Sequence, residues 1–328
     1  MRLLIHERSL SRVRAAIDDP ALEYVTINDA GEISFGGAAL STEEARPDIA
    51  WANQDTFFSG AGRNFMTAAL KAPALKWMQS GAAGVDNPVF GQILRKGARL
   101  TTSHGQAVGM ADYVLWGVLD HLQRGPARRA NQAAGEWQRT PFREIAGSHW
   151  TIVGFGAIGR GVAVRARAFG AHITGVRRSG AGDDVAERMA RLADLPGLLP
   201  QTDVLVLAAP LSAETRHIAG AEAFARMKPG SVLVNVGRGP LVDEPALLAA
   251  LDRGAPAHAV LDVFETEPLP ADSPFWIHPK VTLTPHSSGM SAGNAPRNDA
   301  IFVENLRRYM AGELLQHEVT ADDVLAAS

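Results

Sequence analysis

The chain has 328 residues, of which 46% are hydrophobic and 20% are charged, and its formal net charge is −3 at pH 7. This length exceeds what one compact core usually supports, so it predicts two domains. The small net charge argues against a nucleic-acid partner. The absence of cysteine excludes disulfides, thiolate metal sites and a cysteine nucleophile.

The first residues and the apolar runs bear on where the protein resides. The segment from Met1 to Glu7 holds a short apolar run broken by charge and lacks the features of a signal peptide. The apolar run from Val204 to Leu211 is far shorter than the ~20 residues that a membrane-spanning helix needs. We therefore expect a soluble, cytoplasmic protein with no membrane partner.

Short β-rich runs alternate with helical patterns in the first part of the chain, which is typical of parallel βαβ architecture. The predicted strands lie near Leu3–His6, Tyr24–Ile27, Ile49–Ala52, Leu75–Gln79 and Arg99–Thr101, with predicted helices at Phe65–Lys71 and Pro88–Lys96. The segment 124–147 carries several glycines and prolines and little periodicity, so we expect it to be an irregular excursion.

A second series of predicted strands follows at 150–154, Ala171–Val176, Asp203–Ala208, Ser231–Val236, Ala257–Leu261 and Val281–Thr284. Continuous apolar runs such as 204–208 favour strands buried on both faces. The pattern from Leu241 to Gly254 predicts a helix with an acidic, proline-bearing start and a glycine stop. Beyond the Gly/Ser/Pro-rich stretch after His286, a helix is predicted at Ala300–Met310, and this tail is expected to pack on the first domain.

The hexapeptide from Gly154 to Gly159 matches G-x-G-x-x-G between an apolar strand and the helix predicted at Arg160–Phe169. Glycines at these positions permit a tight turn, close approach of the backbone to a pyrophosphate, and close packing of helix on strand. The helix start, including Ala157 and Ile158, then offers free N–H groups to the phosphates. The alternative is an ordinary strand–turn–helix corner.

The residues after the second strand of this series indicate which cofactor is used. An acid there would bind both ribose hydroxyls of NAD, whereas arginine accommodates a 2′-phosphate. The chain has Arg177, Arg178 and Ser179 at this point, and no Asp or Glu occurs before Asp183. We therefore predict that NADP(H) is preferred, with NAD(H) possible as a cofactor. The alternative is two solvated surface arginines.

Three candidate catalytic side chains follow three further strands, where ligands bind in open α/β sheets. Arg238 can pin a carboxylate bidentately, His286 can give or take a proton, and Glu267 can orient a protonated imidazole. A hydride that adds to a ketone carbon builds charge on oxygen, so a proton donor and a cation lower the barrier without a metal. The alternative is a structural arginine and a solvated histidine.

Taken together, these motifs resemble those of the D-isomer-specific 2-hydroxyacid dehydrogenase family over nearly the whole chain. The matching segments are 75–86, 154–159, 235–239, 259–268 and 284–286. Arg177 resembles the NADP-preferring, glyoxylate/hydroxypyruvate reductase-like branch. The formate dehydrogenase branch is similar but has Gln in the place of Glu267, so the glutamate argues for keto-acid reduction.

The resemblance implies the fold class: two Rossmann-like or flavodoxin-like α/β domains with parallel sheets. A dinucleotide-binding domain, residues 102–287, is inserted into a discontinuous substrate domain, residues 1–101 and 288–328. Family members are usually homodimers that pair through the cofactor domain, so dimer contacts are expected in the segment 124–147.

The resemblance also implies the roles of the site residues. Arg238, Glu267 and His286 are expected to be catalytic, and backbone amides around Ala83 and Gly84 join Arg238 and His286 in binding the substrate. Asp262 is implied to orient the nicotinamide carboxamide. The residues expected to bind the cofactor are Gly154, Gly156, Ala157, Ile158, Gly159, Arg177, Arg178, Ser179, Val236 and Asp262.

The leading hypothesis is therefore an oxidoreductase that transfers a hydride between NAD(P)H and a small 2-keto acid, with glyoxylate and hydroxypyruvate as candidates. The alternative is a non-catalytic regulator of the corepressor type that senses dinucleotide on the same fold. The substrate side chain stays unassigned, with Trp51, Asn53, Phe57 and Phe58 as candidate pocket residues.

Overall fold

The secondary-structure elements belong to two units, each with its own sheet and core. In this computed structural model, which describes residues 1–180, 182–320 and 324, unit 1 comprises Met1–Gln106 and Ala292–Ser328 and unit 2 comprises Ala107–Ser291. Residues 321–323 and 325–328, which fall in the predicted substrate domain, lie outside the described residues.

Strands and helices alternate along most of the described chain. The strands are β1 (Arg2–His6), β2 (Glu23–Ile27), β3 (Ile33–Phe35), β4 (Ala38–Leu40), β5 (Ile49–Ala52), β6 (Trp77–Ser80), β7 (Arg99–Thr101), β8 (His149–Val153), β9 (His172–Val176), β10 (Arg188–Ala190), β11 (Val204–Leu207), β12 (Val232–Asn235), β13 (His258–Leu261), β14 (Val281–Leu283) and β15 (Glu318–Val319). The helices are α1 (Glu7–Val13), α2 (Gln54–Phe57), α3 (Gly62–Lys71), α4 (Pro88–Arg95), α5 (Ala107–Leu122), α6 (Gly125–Ala134), α7 (Ala157–Ala168), α8 (Leu195–Leu198), α9 (Ala221–Arg226), α10 (Glu244–Arg253) and α11 (Asn294–Ala311). None of these helices is both long and apolar enough to cross a membrane.

Unit 1 is built on a sheet with the strand order β15-β7-β6-β5-β1-β2-β3-β4. The strands from β7 to β2 are parallel, whereas β15 and the β3–β4 hairpin are antiparallel to their neighbours. These edge strands were not predicted from the sequence. The hairpin turn consists of Gly36 and Gly37, both with positive φ (58° and 85°), which is the backbone that a two-residue turn between twisted strands requires.

The C-terminal helix α11 completes the core of unit 1. Phe302 of α11 stacks on the fully buried Trp51 of β5 with ring centroids 4.0 Å apart, and on Trp77 of β6 at 5.8 Å. Such stacked aromatic pairs add to the stabilisation that burial alone provides. Helix α11 therefore packs on the sheet of unit 1.

Unit 2 is built on a fully parallel sheet with the strand order β10-β9-β8-β11-β12-β13-β14. This is the arrangement of dinucleotide-binding sheets, in which the chain starts at the centre and reverses direction beside its first strand. Every residue of β11, β12 and β13 is buried, as their continuous apolar runs predict. The predicted fold class, two α/β domains with parallel sheets, is confirmed.

The register of unit 2 aligns the last residues of its strands in one row. Across the sheet this row consists of Ala190, Val176, Val153, Leu207, Asn235, Leu261 and Leu283, each paired with the next. Parallel strands that end in register deliver the loops that follow them to a single edge. That edge is where ligands bind in open α/β sheets.

The segment predicted as an irregular excursion, residues 124–147, contains the helix α6. Gly125 and Pro126 lie in the first turn of α6, and Gly135 closes the helix with φ 69°. Proline at a helix start and glycine just past its end are favoured because the first needs no amide partner and the second adopts a left-handed backbone. The prediction of irregular structure was wrong for this half of the segment because its capping residues were interpreted as breakers.

Two histidines form a stacked pair at the opposite edge of the unit 2 sheet. His121 of α5 and His258 of β13 have ring centroids 4.3 Å apart, and His258 Nε2 lies 3.0 Å from Thr282 Oγ1. Burial, and next the neighbouring His121, lower the pKa of His258 to about 3, while Asp120 opposes the shift. Burial likewise lowers the pKa of His121 to about 4. Both rings are therefore neutral in the folded protein.

Replacing His258 with Gln is expected to make the protein less sensitive to acid, because glutamine keeps a hydrogen-bonding group near Thr282 but cannot titrate. In the unfolded chain the pKa of this histidine returns to 6.5. Below that pH the unfolded state therefore binds a proton that the folded state does not bind. Each pH unit below 6.5 then costs the wild type up to about 1.4 kcal/mol of unfolding free energy through this one group. Thermal unfolding of both proteins between about pH 7 and about pH 5 measures the difference, and parallel declines would contradict the assignment.

Candidate active site

The predicted site residues of unit 2 lie in loops that follow the aligned strand ends. The glycine loop follows β8, the arginine loop follows β9, and Val236, Asp262 and Thr284 are the residues directly after β12, β13 and β14. The register of the sheet thus places these loops at one edge.

The glycine loop has the geometry that a dinucleotide pyrophosphate requires. Gly154 has φ 92°, and a Cβ placed on it would lie 2.3 Å from the Ala209 backbone nitrogen. A Cβ on Gly159 would lie 2.3 Å from the Gly154 carbonyl oxygen, whereas a Cβ on Gly156 would meet nothing within 4 Å. The outer glycines therefore serve the turn and the helix packing, and the middle one leaves open space where a pyrophosphate can approach the backbone.

Three other residues predicted to bind the cofactor, Ala157, Ile158 and Val236, differ in what they can offer a ligand. Ala157 and Ile158 form the first turn of α7, where backbone N–H groups lack partners within the helix and attract anions. Val236 is 1% exposed, its side chain packs in the core, and its N–H donates to the Leu207 carbonyl oxygen at 3.0 Å. A contact between Val236 and a cofactor would therefore use its carbonyl oxygen.

The predicted phosphate-binding residues Arg177, Arg178 and Ser179 occupy the loop after β9. Arg177 Nη2 donates to the Gly182 carbonyl oxygen at 2.6 Å, which closes the loop on itself. Arg178 Nε lies 3.8 Å from a carboxylate oxygen of Glu214. The loop thus presents two guanidinium groups at the edge where the adenosine half of a dinucleotide binds.

Asp183, the first acid after β9, is engaged elsewhere. Its carboxylate pairs with Arg160 of α7 and accepts the Val185 N–H at 3.0 Å, and its side chain is 5% exposed. An acid held by these groups is not presented as a ribose ligand. This geometry favours the arginine interpretation of the loop over one based on a carboxylate.

Arg238 lies in a loop whose backbone is held by hydrogen bonds to the Asn235 side chain. The Asn235 side chain, which is fully buried, accepts the Gly237 N–H at 3.1 Å and donates to the Arg238 carbonyl oxygen at 2.9 Å. The Arg238 guanidinium donates to the Gly237 carbonyl oxygen at 2.7 Å. Asn235 was assigned no role from the sequence, although it lies in one of the matching segments.

The Arg238 loop packs directly on the loop that carries Glu267. A Cβ on Gly239 would lie 1.9 Å from the Phe264 backbone carbonyl, so only glycine permits this approach. The Phe264 N–H in turn donates to Glu267 Oε1 at 3.0 Å. The position of the carboxylate is therefore tied to the same backbone that supports the arginine.

Glu267 and His286 are in contact, as expected from the sequence. Glu267 Oε2 lies 2.8 Å from His286 Nδ1, with side-chain exposures of 35% and 56%. Because Nδ1 faces the carboxylate, Nε2 is the nitrogen that can exchange a proton with a substrate. His286 has φ 49°, a left-handed backbone that is uncommon for any residue except glycine. Such a conformation persists only where its surroundings enforce it.

Asp262 enforces the conformation of the His286 loop. Its carboxylate is 1% exposed and accepts the Thr284 hydroxyl at 2.6 Å, the Ser287 N–H at 2.8 Å and the Ser288 N–H at 3.1 Å. The Ser288 hydroxyl also donates to it, and the Asp262 carbonyl oxygen accepts the His286 N–H at 2.8 Å. A buried carboxylate needs such donors in place of water. Asp262 therefore holds the loop on both sides of His286.

Tyr113 extends this network to the helix α5. Its hydroxyl lies 2.8 Å from Thr284 Oγ1, and since the Thr284 proton points to Asp262, the tyrosine is the donor. Burial raises the pKa of Tyr113 to about 12, so it keeps the proton that it donates. Neither residue was assigned a role from the sequence: Thr284 lies in a matching segment, and no signal in the sequence points to Tyr113.

The predicted site residues of unit 1 lie after β6. Ala83 and Gly84 belong to the loop that follows this strand, and two hydrogen bonds hold the start of the loop. The Ala82 N–H donates to Ser80 Oγ at 3.1 Å, and the Ser103 N–H donates to the Ala82 carbonyl oxygen at 3.2 Å. The backbone of this loop thus lies at the carboxyl edge of the unit 1 sheet.

The candidate pocket residues of unit 1 divide into two kinds. Trp51 and Asn53 are fully buried: Trp51 stacks on Phe302, and the Asn53 side chain caps α2. Phe57 and Phe58 are 36% and 69% exposed. The first two residues therefore serve the fold, and only the phenylalanines keep the accessibility that a pocket wall needs.

In chemical terms, the edge of unit 2 presents a glycine cradle, two arginines in the loop after β9, a braced Arg238 and an imidazole held by a carboxylate. Among the described residues, no group of three or more His, Asp or Glu side chains is placed to hold a metal ion. These groups suit a dinucleotide and an anionic substrate that exchanges a proton.

Comparison with known proteins identifies the family. Residues 115–288 match the family model described as D-isomer specific 2-hydroxyacid dehydrogenase, NAD binding domain. This chain therefore belongs to the D-isomer specific 2-hydroxyacid dehydrogenase family.

Individual relatives cover most of the chain. It is 41% identical over 218 residues to an (S)-sulfolactate dehydrogenase of Chromohalobacter salexigens, a match that spans 64% of this chain and 69% of the relative. It is 36% identical over 252 residues to a glyoxylate/hydroxypyruvate reductase B of Escherichia fergusonii, spanning 74% and 78%. A solved D-isomer specific 2-hydroxyacid dehydrogenase of Xanthobacter autotrophicus, in complex with NADPH and MES, is 31% identical with a TM-score of 0.78 and covers 98% of both chains.

Proposed function

We propose that this protein is a cytoplasmic NADP(H)-dependent reductase that converts a small 2-keto acid to a D-2-hydroxy acid, with glyoxylate and hydroxypyruvate as first candidate substrates. The observation that carries the proposal is the 2.8 Å contact between Glu267 and His286 on the sheet edge that also bears Arg238 and the glycine loop. The named relatives are dehydrogenases or reductases, so the regulator alternative has no support.

In this function the nicotinamide supplies the hydride, and the chain's own residues supply binding and the proton. Arg238 pins the substrate carboxylate and draws electron density from the adjacent carbonyl. His286 donates a proton from Nε2 to the carbonyl oxygen as negative charge develops there. Glu267 orients the imidazole through its contact with Nδ1.

We assign unit 2, Ala107–Ser291, as the cofactor domain and unit 1 as the substrate domain; the sequence placed the cofactor domain at residues 102–287. The glycine cradle, the start of α7 and Asp262 belong to unit 2, and the loop with Ala83 and Gly84 belongs to unit 1. Backbone amides of that loop supply further hydrogen bonds to the substrate carboxylate. Asp262, which directly follows β13, orients the nicotinamide carboxamide.

Replacing His286 with Gln is expected to lower keto-acid turnover by ~10²–10⁴-fold, the usual contribution of a general acid. Loss of NADPH absorbance with a panel of 2-keto acids measures it. His217→Gln is the matched control, because His217 also pairs with a glutamate, at 2.7 Å from Glu265. Near-normal turnover in the His286 variant would remove this residue from its role, and no turnover of any keto acid by the wild type would contradict the proposed function.

The preference for NADPH over NADH is expected to depend on the loop after β9. Changing Arg177 and Arg178 together to Ala should lower kcat/KM for NADPH by at least tenfold and leave that for NADH nearly unchanged, because charge-assisted hydrogen bonds to a phosphate are lost. Kinetics with both cofactors check this. A wild type that uses NADH as well as NADPH would contradict the assigned preference.

We further propose a homodimer formed through the cofactor domain. Unit 2 exposes several large apolar side chains on α5, in the segment 124–147 and just after α7: Trp116 (48%), Trp137 (96%), Phe142 (49%) and Phe169 (51%). Apolar surface of this kind marks protein interfaces.

Light scattering is expected to give twice the chain mass of 34.9 kDa, and Trp137→Glu to shift the protein toward monomer because a charge would be buried at the interface. A monomeric wild type at micromolar concentration would contradict this assembly.

A further inference from the structure

A third arginine stands beside the loop assigned to the cofactor phosphate. Arg191 directly follows β10, as Arg177 directly follows β9, and the pairing of Ala190 with Val176 places both at the same edge. The Arg177 N–H donates to the Ala190 carbonyl oxygen at 3.1 Å, which fixes this register. Neighbouring strands lie about 4.8 Å apart, so the two arginines start from adjacent backbone positions.

The Arg191 side chain lies against the arginine loop. A Cβ placed on Gly180 would be 2.9 Å from Arg191 Cγ and 3.6 Å from its Nε. The absence of a side chain at Gly180 therefore leaves the space that the Arg191 side chain occupies. The Arg191 backbone N–H donates to Asp194 Oδ2 at 2.9 Å. Among the described residues, no carboxylate forms an ion pair with the Arg191 guanidinium, so its charge is available to an anionic ligand.

Arg191 shares a cavity with Arg178. This cavity of about 760 Å³ is lined by apolar residues, among them Leu192 and Ile218, and by three arginine and three acidic side chains: Arg178, Arg191, Arg226, Glu214, Glu222 and Asp243. Its volume is typical of small-molecule sites. The apolar residues suit the base of a nucleotide, and Arg178 and Arg191 together offer two guanidinium groups to a phosphate.

Glu214 lies beside Arg178 and opposes a phosphate there. Its carboxylate is 3.8 Å from Arg178, and the two side chains are 65% and 72% exposed. Such exposed pairs are weak and screened by water, so Arg178 can exchange the carboxylate for a phosphate. The carboxylate would still repel a phosphate dianion bound nearby.

We propose that Arg191 is a specificity-determining residue that binds the 2′-phosphate of NADP(H) together with Arg177 and Arg178, and that Glu214 limits the affinity. The proposal rests on the NADP(H) preference assigned above. Guanidinium groups that come from two neighbouring strand ends can form hydrogen bonds to different oxygens of the same phosphate.

Equilibrium binding of NADPH and of NADH, measured by calorimetry on the purified protein, tests the role of Arg191 without reference to turnover. Arg191→Ala should weaken NADPH binding about tenfold and leave NADH binding unchanged. Arg188→Ala is the matched control, because Arg188 lies at the other end of the same strand and its loss removes the same charge. This control should leave both affinities near those of the wild type.

Glu214→Gln tests whether the carboxylate weakens NADPH binding, because this variant is expected to increase the affinity. Loss of its charge should tighten NADPH binding about twofold to fivefold and leave NADH binding unchanged, because only the phosphate is repelled. This variant gains affinity, so a folding defect cannot imitate the result. Unchanged NADPH binding would remove Glu214 from the proposal.

The outcomes separate this inference from the function on which it rests. An Arg191→Ala variant that binds both cofactors equally weakly, or NADPH as tightly as the wild type, would overturn the role of Arg191. If the Arg177 and Arg178 double variant alone loses the preference, the assigned NADP(H) preference stands and Arg191 is not part of it. A wild type that binds both cofactors equally would contradict the preference itself, and Arg191 with it.

Discussion

The candidate site depends on one buried carboxylate. Asp262 accepts donors from Thr284, Ser287 and Ser288, and its own carbonyl oxygen accepts the His286 N–H. These bonds compensate for the lost hydration of the charge, and they also hold His286 in a left-handed backbone that it would not adopt alone. The imidazole then contacts Glu267 through Nδ1, which leaves Nε2 as the nitrogen that can exchange a proton. The hydrogen bonds that fix the backbone of His286 thus also set the orientation of its imidazole.

The register of the sheet explains why separate segments cooperate. Since the strands of unit 2 end in one row, residues 154, 177, 191, 238, 262 and 286, which are far apart in sequence, all follow the same edge. Close contacts between backbone atoms then fix neighbouring loops. Gly239 packs against the Phe264 backbone, and the Asn235 side chain donates to the Arg238 carbonyl oxygen. Backbone atoms therefore position the site residues as much as side chains do.

Strong local patterns in the sequence predict a large part of this arrangement. Continuous apolar runs predict the buried strands, the glycine spacing predicts the cradle, and strand-end positions predict Arg238, Glu267 and His286. The strand β10 was missed, because three residues beginning with Arg188 carry no apolar run, and with β10 the position of Arg191 was missed. Tyr113 and the half of segment 124–147 that forms α6 were missed as well. A hydrogen bond between a helix and a loop leaves no periodic signal, and capping glycines resemble breakers until the helix between them is seen.

The central claim is that Glu267 orients the His286 imidazole for proton donation to a keto acid. The kcat for keto-acid reduction, compared between the wild type and Glu267→Ala, tests it most directly, because this variant removes the 2.8 Å contact to Nδ1 and leaves His286 in place. We predict that kcat falls by about 10²-fold, since a misplacement of about 1 Å can cost that much in rate. Glu265→Ala should leave kcat near that of the wild type, because Glu265 pairs with His217 instead. An unchanged kcat in Glu267→Ala would contradict the claim.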